Sequence, residues 1–271
     1  MKLGVTLPSF RDSPEPALTV AVAAERAGLD GVFAFDHIFR TRRDGSLRPA
    51  LECTTLLGAV AAETDRIAFG PLVARATLRP PATLGAAFDT LERVAPGRLL
   101  VTLGAGDHHS QAENESFGLA STSEDARLGA LEATLMATRG RGYPAWVGGD
   151  SYAVRVLAAS QADGWNRWGT PVERFAREAR AVIDQLETPR KQFAFSWGGL
   201  FIVGEDERSA EAKRARLDPG PDVIVGGPER VAEALAAYGE AGAAWVMVGP
   251  IDSSDPDNAD VLGERVAPLL R

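Results

Sequence analysis

Three histidines and the carboxylates beside them are the residues of this 271-residue chain best suited to proton chemistry. His37 lies in FAFDHIF next to Asp36, and His108 and His109 lie in LGAGDHHSQ next to Asp107. Imidazole titrates near neutral pH, so each histidine is a candidate acid or base. Three histidines and a carboxylate on one face can also hold zinc. A further motif, Gly148-Gly149-Asp150-Ser151, has glycines that let backbone approach a phosphate, and a helix starting there offers free N–H groups. A plain strand-to-helix turn with Asp150 as N-cap explains the same four residues.

Whether these motifs meet depends on the elements that carry them. Short β-rich runs alternate with longer helical patterns along the whole chain, the signature of parallel βαβ units. Strands are predicted at 3–8, 31–37, 67–75, 98–106, 145–149, 163–169, 193–204 and 244–250. Helices are predicted at 16–28, 52–64, 81–94, 123–138, 151–161, 171–186 and 228–242, with a last one near 259–270. About eight strand–helix units in this length predict a single-domain (β/α)₈ barrel, a TIM barrel spanning residues 1–271. An open doubly wound sheet would need a Gly-rich turn after the first strand, and VTLPSFRD is not one. In a barrel the residues following every strand share one face, so all three histidines are expected at the same end as Asp36, Asp107 and GGDS.

Composition narrows the partners. A net charge of −8 gives no footprint for nucleic acid or an anionic membrane, which leaves small molecules. The single cysteine, Cys53, excludes an internal disulfide and reads as a small buried hydrophobe in a reducing cytoplasm. No apolar run approaches bilayer length, and MKLGVTLP has no signal-peptide pattern, so a cytoplasmic protein is expected.

With these residues in place, the chain resembles the bacterial luciferase-like superfamily, barrel enzymes that use FMN or the deazaflavin coenzyme F420. GLDGVFAFDHIF is similar to the family's second-strand pattern, with Asp36 and His37 as its Asp-His pair. RIAFGPLVARATLRPPATLGAAFDTLERVAPGRLLVTLGAGD is similar to its longest signature, including Gly70, Arg79, Pro81 and the Gly104-x-Gly106 pair. ENESFG (113–118), AWVGGDSYAVRVLAASQADGWN and GPERVAEALAAYGEAGAAWVMV are similar to later family elements.

The resemblance implies a cofactor site built from Asp36, Leu72, Val73, Ala74, Gly104, Gly106, Gly148, Gly149, Asp150 and Ser151. It implies a cis peptide at Leu72–Val73 beneath the cofactor ring, in a sequence with Pro71 where relatives carry a small polar residue. His37 resembles the histidine that relatives place near the reactive edge. Asp107 occupies the position of a catalytic carboxylate in a deazaflavin-dependent sugar-phosphate dehydrogenase; His108 and His109 have no fixed family role and read as substrate-pocket residues, with His108 placed in the catalytic set. LMATRGRGYPAW crosses directly where relatives carry a long excursion, so a more open pocket, or one covered by a neighbouring subunit, is expected.

The expected activity is hydride transfer between coenzyme F420 and a small organic substrate, in a homodimer as relatives form. An FMN-dependent monooxygenase is the alternative; a binding module or a relative that has lost its cofactor are further ones. A metal-dependent barrel hydrolase would usually place two histidines after the first strand, which here ends in LP; adjacent His108 and His109 diverge on extended backbone. No metal ligands are assigned.

Overall fold

A computed structural model of the chain describes residues 1–41, 45–106, 110–119, 123–186 and 193–271. The first half of the barrel runs β1 (Lys2–Thr6), α1 (Glu15–Arg26), β2 (Gly31–Ala34), the hairpin β3 (Phe39–Thr41) and β4 (Leu47–Pro49), and α2 (Cys53–Glu63). It continues through β5 (Ala68–Pro71), β6 (Ala74–Arg75), α3 (Pro81–Val94), β7 (Val101–Gly104), α4 (Gln111–Ser116) and α5 (Glu124–Thr138). The second half runs β8 (Ala145–Gly148), α6 (Tyr152–Gln161), β9 (Gly164–Trp168), α7 (Val172–Ile183), β10 (Ala194–Val203), α8 (Glu207–Leu217), β11 (Val223–Gly226), α9 (Pro228–Glu240), β12 (Trp245–Pro250) and α10 (Asp257–Val261).

The barrel strands pair in parallel in the order β5-β2-β1-β12-β10-β9-β8-β7-β6. β5 and β6 are one strand broken at Leu72–Val73, where the peptide bond is cis. Below the break Phe69 bridges Leu99, and above it Ala74 and Arg75 pair with Leu103 and Gly104. The third strand therefore joins β2 on one side and β7 on the other, and the (β/α)₈ ring closes.

Side chains alternate between two apolar layers, as the pleat requires. Phe33, Leu72, Leu100, Trp146, Trp245 and Met247 form one cluster inside the ring, while Val32, Val147, Val246 and Val248 join the larger cluster between strands and helices. Glycines make room for the large interior rings: a Cβ on Gly4 would lie 2.5 Å from Phe33, and one on Gly31 would lie 2.9 Å from Trp245. The interior is a filled core, so a ligand of the barrel itself must sit at the strand ends.

Besides the β3–β4 hairpin and α4, which the sequence prediction did not contain, three elements differ from it. The last helix is shorter, ending at Val261 and continuing as a π turn (Leu262–Val266) and a 3₁₀ turn (Ala267–Leu270). α8 and β11 fall between the predicted seventh and eighth strands. In α8 only Ala210 is buried, so its sequence has no apolar stripe to reveal it. β11 pairs with Leu200–Val203 of β10, beyond the stretch of β10 that β9 covers. Cys53 is buried, with its Sγ 3.8 Å from the carbonyl oxygen of Ala34, and burial pushes its thiol well above the usual value.

Candidate active site

Two cavities open where the strands end. The larger, about 570 Å³, lies against Ala105, Leu128, Gly149, Asp150, Ser151 and Arg167. The smaller, about 290 Å³, lies against Phe35, Asp36, His37, Leu72, Arg75 and Ser110. Val73, Gly106, Asn166 and Trp168 line both, so the two chambers share a wall.

Val73 explains why two of the site glycines are glycine. A Cβ on Gly104 would lie 2.3 Å from Val73 Cγ2, and one on Gly148 would lie 2.7 Å from Val73 Cγ1. The valine that follows the cis bond thus occupies the space that side chains at the ends of β7 and β8 would take. Gly106 adopts φ 72°, a left-handed conformation that favours glycine, as β7 turns out of the barrel.

At the end of β2 the neighbouring Asp36 and His37 have different surroundings. The Asp36 side chain is 1% exposed and accepts a bidentate pair of hydrogen bonds from Arg79, at 2.9 and 3.0 Å, plus one from the Arg75 backbone N–H at 2.9 Å. Its oxygens fasten the end of β2 to β6 and to the loop that leads into α3, so it borders the smaller chamber with a carboxylate already engaged. Burial alone would lower the Arg79 guanidinium, but Asp36 and Glu52 outweigh it and hold the group firmly protonated.

His37 borders the same chamber and is held from behind. Its Nδ1 lies 3.1 Å from Glu113 Oε2, and its ring lies 5.5 Å from that of Phe10. Glu113 Oε2 also accepts from Arg75 Nη1 at 2.7 Å, while Oε1 accepts from the backbone N–H groups of Ile38 and Phe39. Burial works against charge on Glu113; the bonds from His37 and Ile38 and the Arg75 charge outweigh it and hold the carboxyl below its usual range. The buried Arg75 Nη2 donates to Asn114 at 3.0 Å, and its Nε has no partner among the described residues. Glu113, Arg75, Asn166 and Trp168 were not singled out in the sequence. For Glu113 a signal existed: it opens ENESFG, a segment already matched to a family element.

The GGDS turn caps α6 through Ser151, not Asp150 as the plain-turn explanation expected. Ser151 Oγ accepts from the Val154 N–H at 3.3 Å. Asp150 points its carboxylate toward Arg167, 3.5 Å away, and its backbone carbonyl accepts a hydrogen bond from Arg155. Gly149 has φ 144°, and its N–H donates to the Asn166 carbonyl at 3.2 Å. Ala74, in β6 just past the break, is buried. Asp107, His108 and His109 lie outside the described residues, which contain no group of three or more His, Cys, Asp or Glu arranged for a metal. No helix among the described residues is long and apolar enough to cross a membrane.

Acidity should test this network. Glu52, the N-cap of α2, is opposed by burial, but hydrogen bonds from Thr55 and the charge of Arg79 bring its carboxyl down to about 2. For Glu52 and Glu113 the folded value lies below the unfolded one, so their stabilisation is complete above pH ~5 and lost as pH falls toward 2. The melting temperature should therefore decline steadily from about pH 5 to pH 3, and less so in Glu52→Gln. Equal slopes in the two proteins would show that Glu52 carries none of it.

Comparison with known proteins places this geometry among relatives. A family model described as luciferase-like monooxygenase matches residues 1–140. An F420-dependent glucose-6-phosphate dehydrogenase of Beutenbergia cavernae is 37% identical over 113 residues, 41% of this chain and 33% of that protein. The chain thus matches about a third of the length of that curated relative. Among solved structures, an F420-dependent secondary alcohol dehydrogenase in complex with an F420–acetone adduct superposes with TM-score 0.82 at 16% identity, over 100% of this chain and 99% of that one. A riboflavin lyase with modified FMN superposes with TM-score 0.83 at 13% identity, over 100% and 91%. At these identities the two structures establish the fold.

Proposed function

We propose, since the chain belongs to the luciferase-like monooxygenase family, that it is an oxidoreductase moving a hydride between coenzyme F420 and a small organic substrate. The observation that carries this reading is the pair of chambers meeting at Val73, with His37 in the wall of the smaller. The larger chamber fits an elongated cofactor. Val73, Ala105 and Leu128 offer apolar wall for a ring system, and Gly149 and Ser151 bring backbone to the N-terminus of α6 for a phosphate. When bound, the coenzyme supplies the hydride chemistry.

The chain's own residues do the rest. His37 holds or takes the substrate proton on the ring nitrogen not bonded to Glu113, Phe35 and Trp168 exclude water, and Asp36 fixes the strand ends that set the distance between partners. Asp107 completes the proposed acid/base pair, and His108 joins the catalytic set as a substrate-pocket residue. A homodimer, as the resemblance implies, in the cytoplasm, as the single cysteine suggests, belongs to the same proposal. The sequence similarity to a protein named for F420 favours the deazaflavin over FMN, the alternative ligand.

Titrating the purified protein in parallel with F420 and FMN tests the assignment, read by quenching of Trp168, which borders both chambers. F420 is expected to bind at micromolar concentration, at least tenfold tighter than FMN. Tighter FMN binding would transfer the protein to the monooxygenase class, and binding of neither would remove the cofactor assignment. In the same assay Gly149→Val should weaken F420 about tenfold or more, because φ 144° excludes a β-branched side chain and its Cβ would meet Val154 at 3.0 Å. Equal affinity would place the phosphate elsewhere.

A further inference from the structure

We propose that Glu113 is the positioning residue of the site: its carboxylate fixes His37 as the Nδ1–H tautomer and so leaves Nε2 as a proton acceptor for the smaller chamber. The inference rests on the acid–base role given to His37 above and deepens it.

The argument is a count of donors and acceptors. A carboxylate has only acceptors to offer, and all of the groups facing Glu113 are donors or can become one. Its Oε1 takes two backbone N–H groups, those of Ile38 and Phe39, the latter at 3.3 Å. Its Oε2 takes Arg75 Nη1 at 2.7 Å and faces His37 Nδ1 at 3.1 Å. Of these four partners only the imidazole has a choice of tautomer. A bare Nδ1 lone pair would confront the carboxylate; Nδ1–H makes a charge-assisted hydrogen bond with it. Arg75 and the hydrogen bonds from Ile38 and His37 keep the carboxylate charged against the cost of burial, and its position, 5% exposed, keeps it in one orientation. The arrangement joins elements far apart in the chain: α4 supplies Glu113, β6 supplies Arg75, and the end of β2 supplies the histidine.

Glu113→Gln separates this reading from simple packing because it changes one acceptor into a donor at nearly constant shape. The Ile38 and Phe39 amides cannot reverse, so the carboxamide oxygen must stay with them and its NH₂ must face His37 and Arg75. The imidazole then accepts through Nδ1 and carries its proton on Nε2, which removes the base from the chamber.

The readout is the ¹⁵N spectrum of the imidazole rings in the ligand-free protein above pH ~8, with His37 assigned by its loss in His37→Gln. Wild type should show His37 as the Nδ1–H form and Glu113→Gln as the Nε2–H form. A wild-type Nε2–H signal, or the same tautomer in both proteins, overturns the inference; the wild-type spectrum decides even where the variant does not fold. Turnover is the second measurement: Glu113→Gln should lower kcat by about a hundredfold or more, with KM and coenzyme affinity within a few-fold of wild type. A tautomer that switches while kcat stays constant leaves Glu113 as the positioning residue and removes His37 from the chemistry, so the two readings fail separately.

Discussion

Replacing Arg79 by methionine should cost about 3–5 kcal/mol of folding free energy, because it strands a carboxylate that the fold has removed from water. Asp36 is 1% exposed at its side chain, and Arg79 meets both of its oxygens at 3.0 Å or less. One backbone N–H from Arg75 remains, too little to replace a guanidinium. Methionine fills much of the same volume, so the loss reads the charge pair and not a cavity. Urea unfolding measures it, and the double variant Arg79→Met/Asp36→Asn should lose less than the sum of the single variants. A single-variant loss below about 1 kcal/mol would show that Asp36 is stabilised without Arg79.

His37→Ala should lower turnover by about a hundredfold or more while leaving F420 affinity unchanged. The imidazole borders the smaller chamber and is absent from the wall of the larger one, where the coenzyme is proposed to lie. Deleting it removes a proton acceptor near the substrate and leaves the cradle at Gly149 and Ser151 intact. Steady-state kinetics together with the fluorescence titration separate the two effects. Turnover equal to wild type would remove His37 from the reaction, and a parallel loss of coenzyme affinity would give it a binding role instead.

How much of this was legible beforehand follows from where each signal resides. β/α alternation is a local property, since apolar strands and amphipathic helices are written in periods of two and 3.6 residues. The barrel was therefore readable, and α3 was predicted at its observed bounds, Pro81–Val94. α8 was not, because a helix polar on nearly all sides has no periodicity to detect, and β11 is a strand of four residues that pairs only with the upper part of β10. The Ser151 cap was missed for a similar reason: aspartate and serine are near equals as N-caps, and one residue of register decides between them.

The site divides along the same line. By itself, the sequence determined which residues follow the strands, and thus that Asp36, His37 and GGDS share one end of the barrel. The rule behind this is topological: parallel strands must all point the same way. Only the tertiary structure decided what each of those residues does there. It turned Asp36 toward Arg79, set Val73 against Gly104 and Gly148, and brought Glu113, 76 positions along the chain, to the back of His37. Such pairings depend on the angle and height at which separate βα units meet, and on competition among buried donors for few acceptors. That competition is settled in three dimensions, which is why the acid–base candidate was visible in the sequence and the carboxylate that orients it was not.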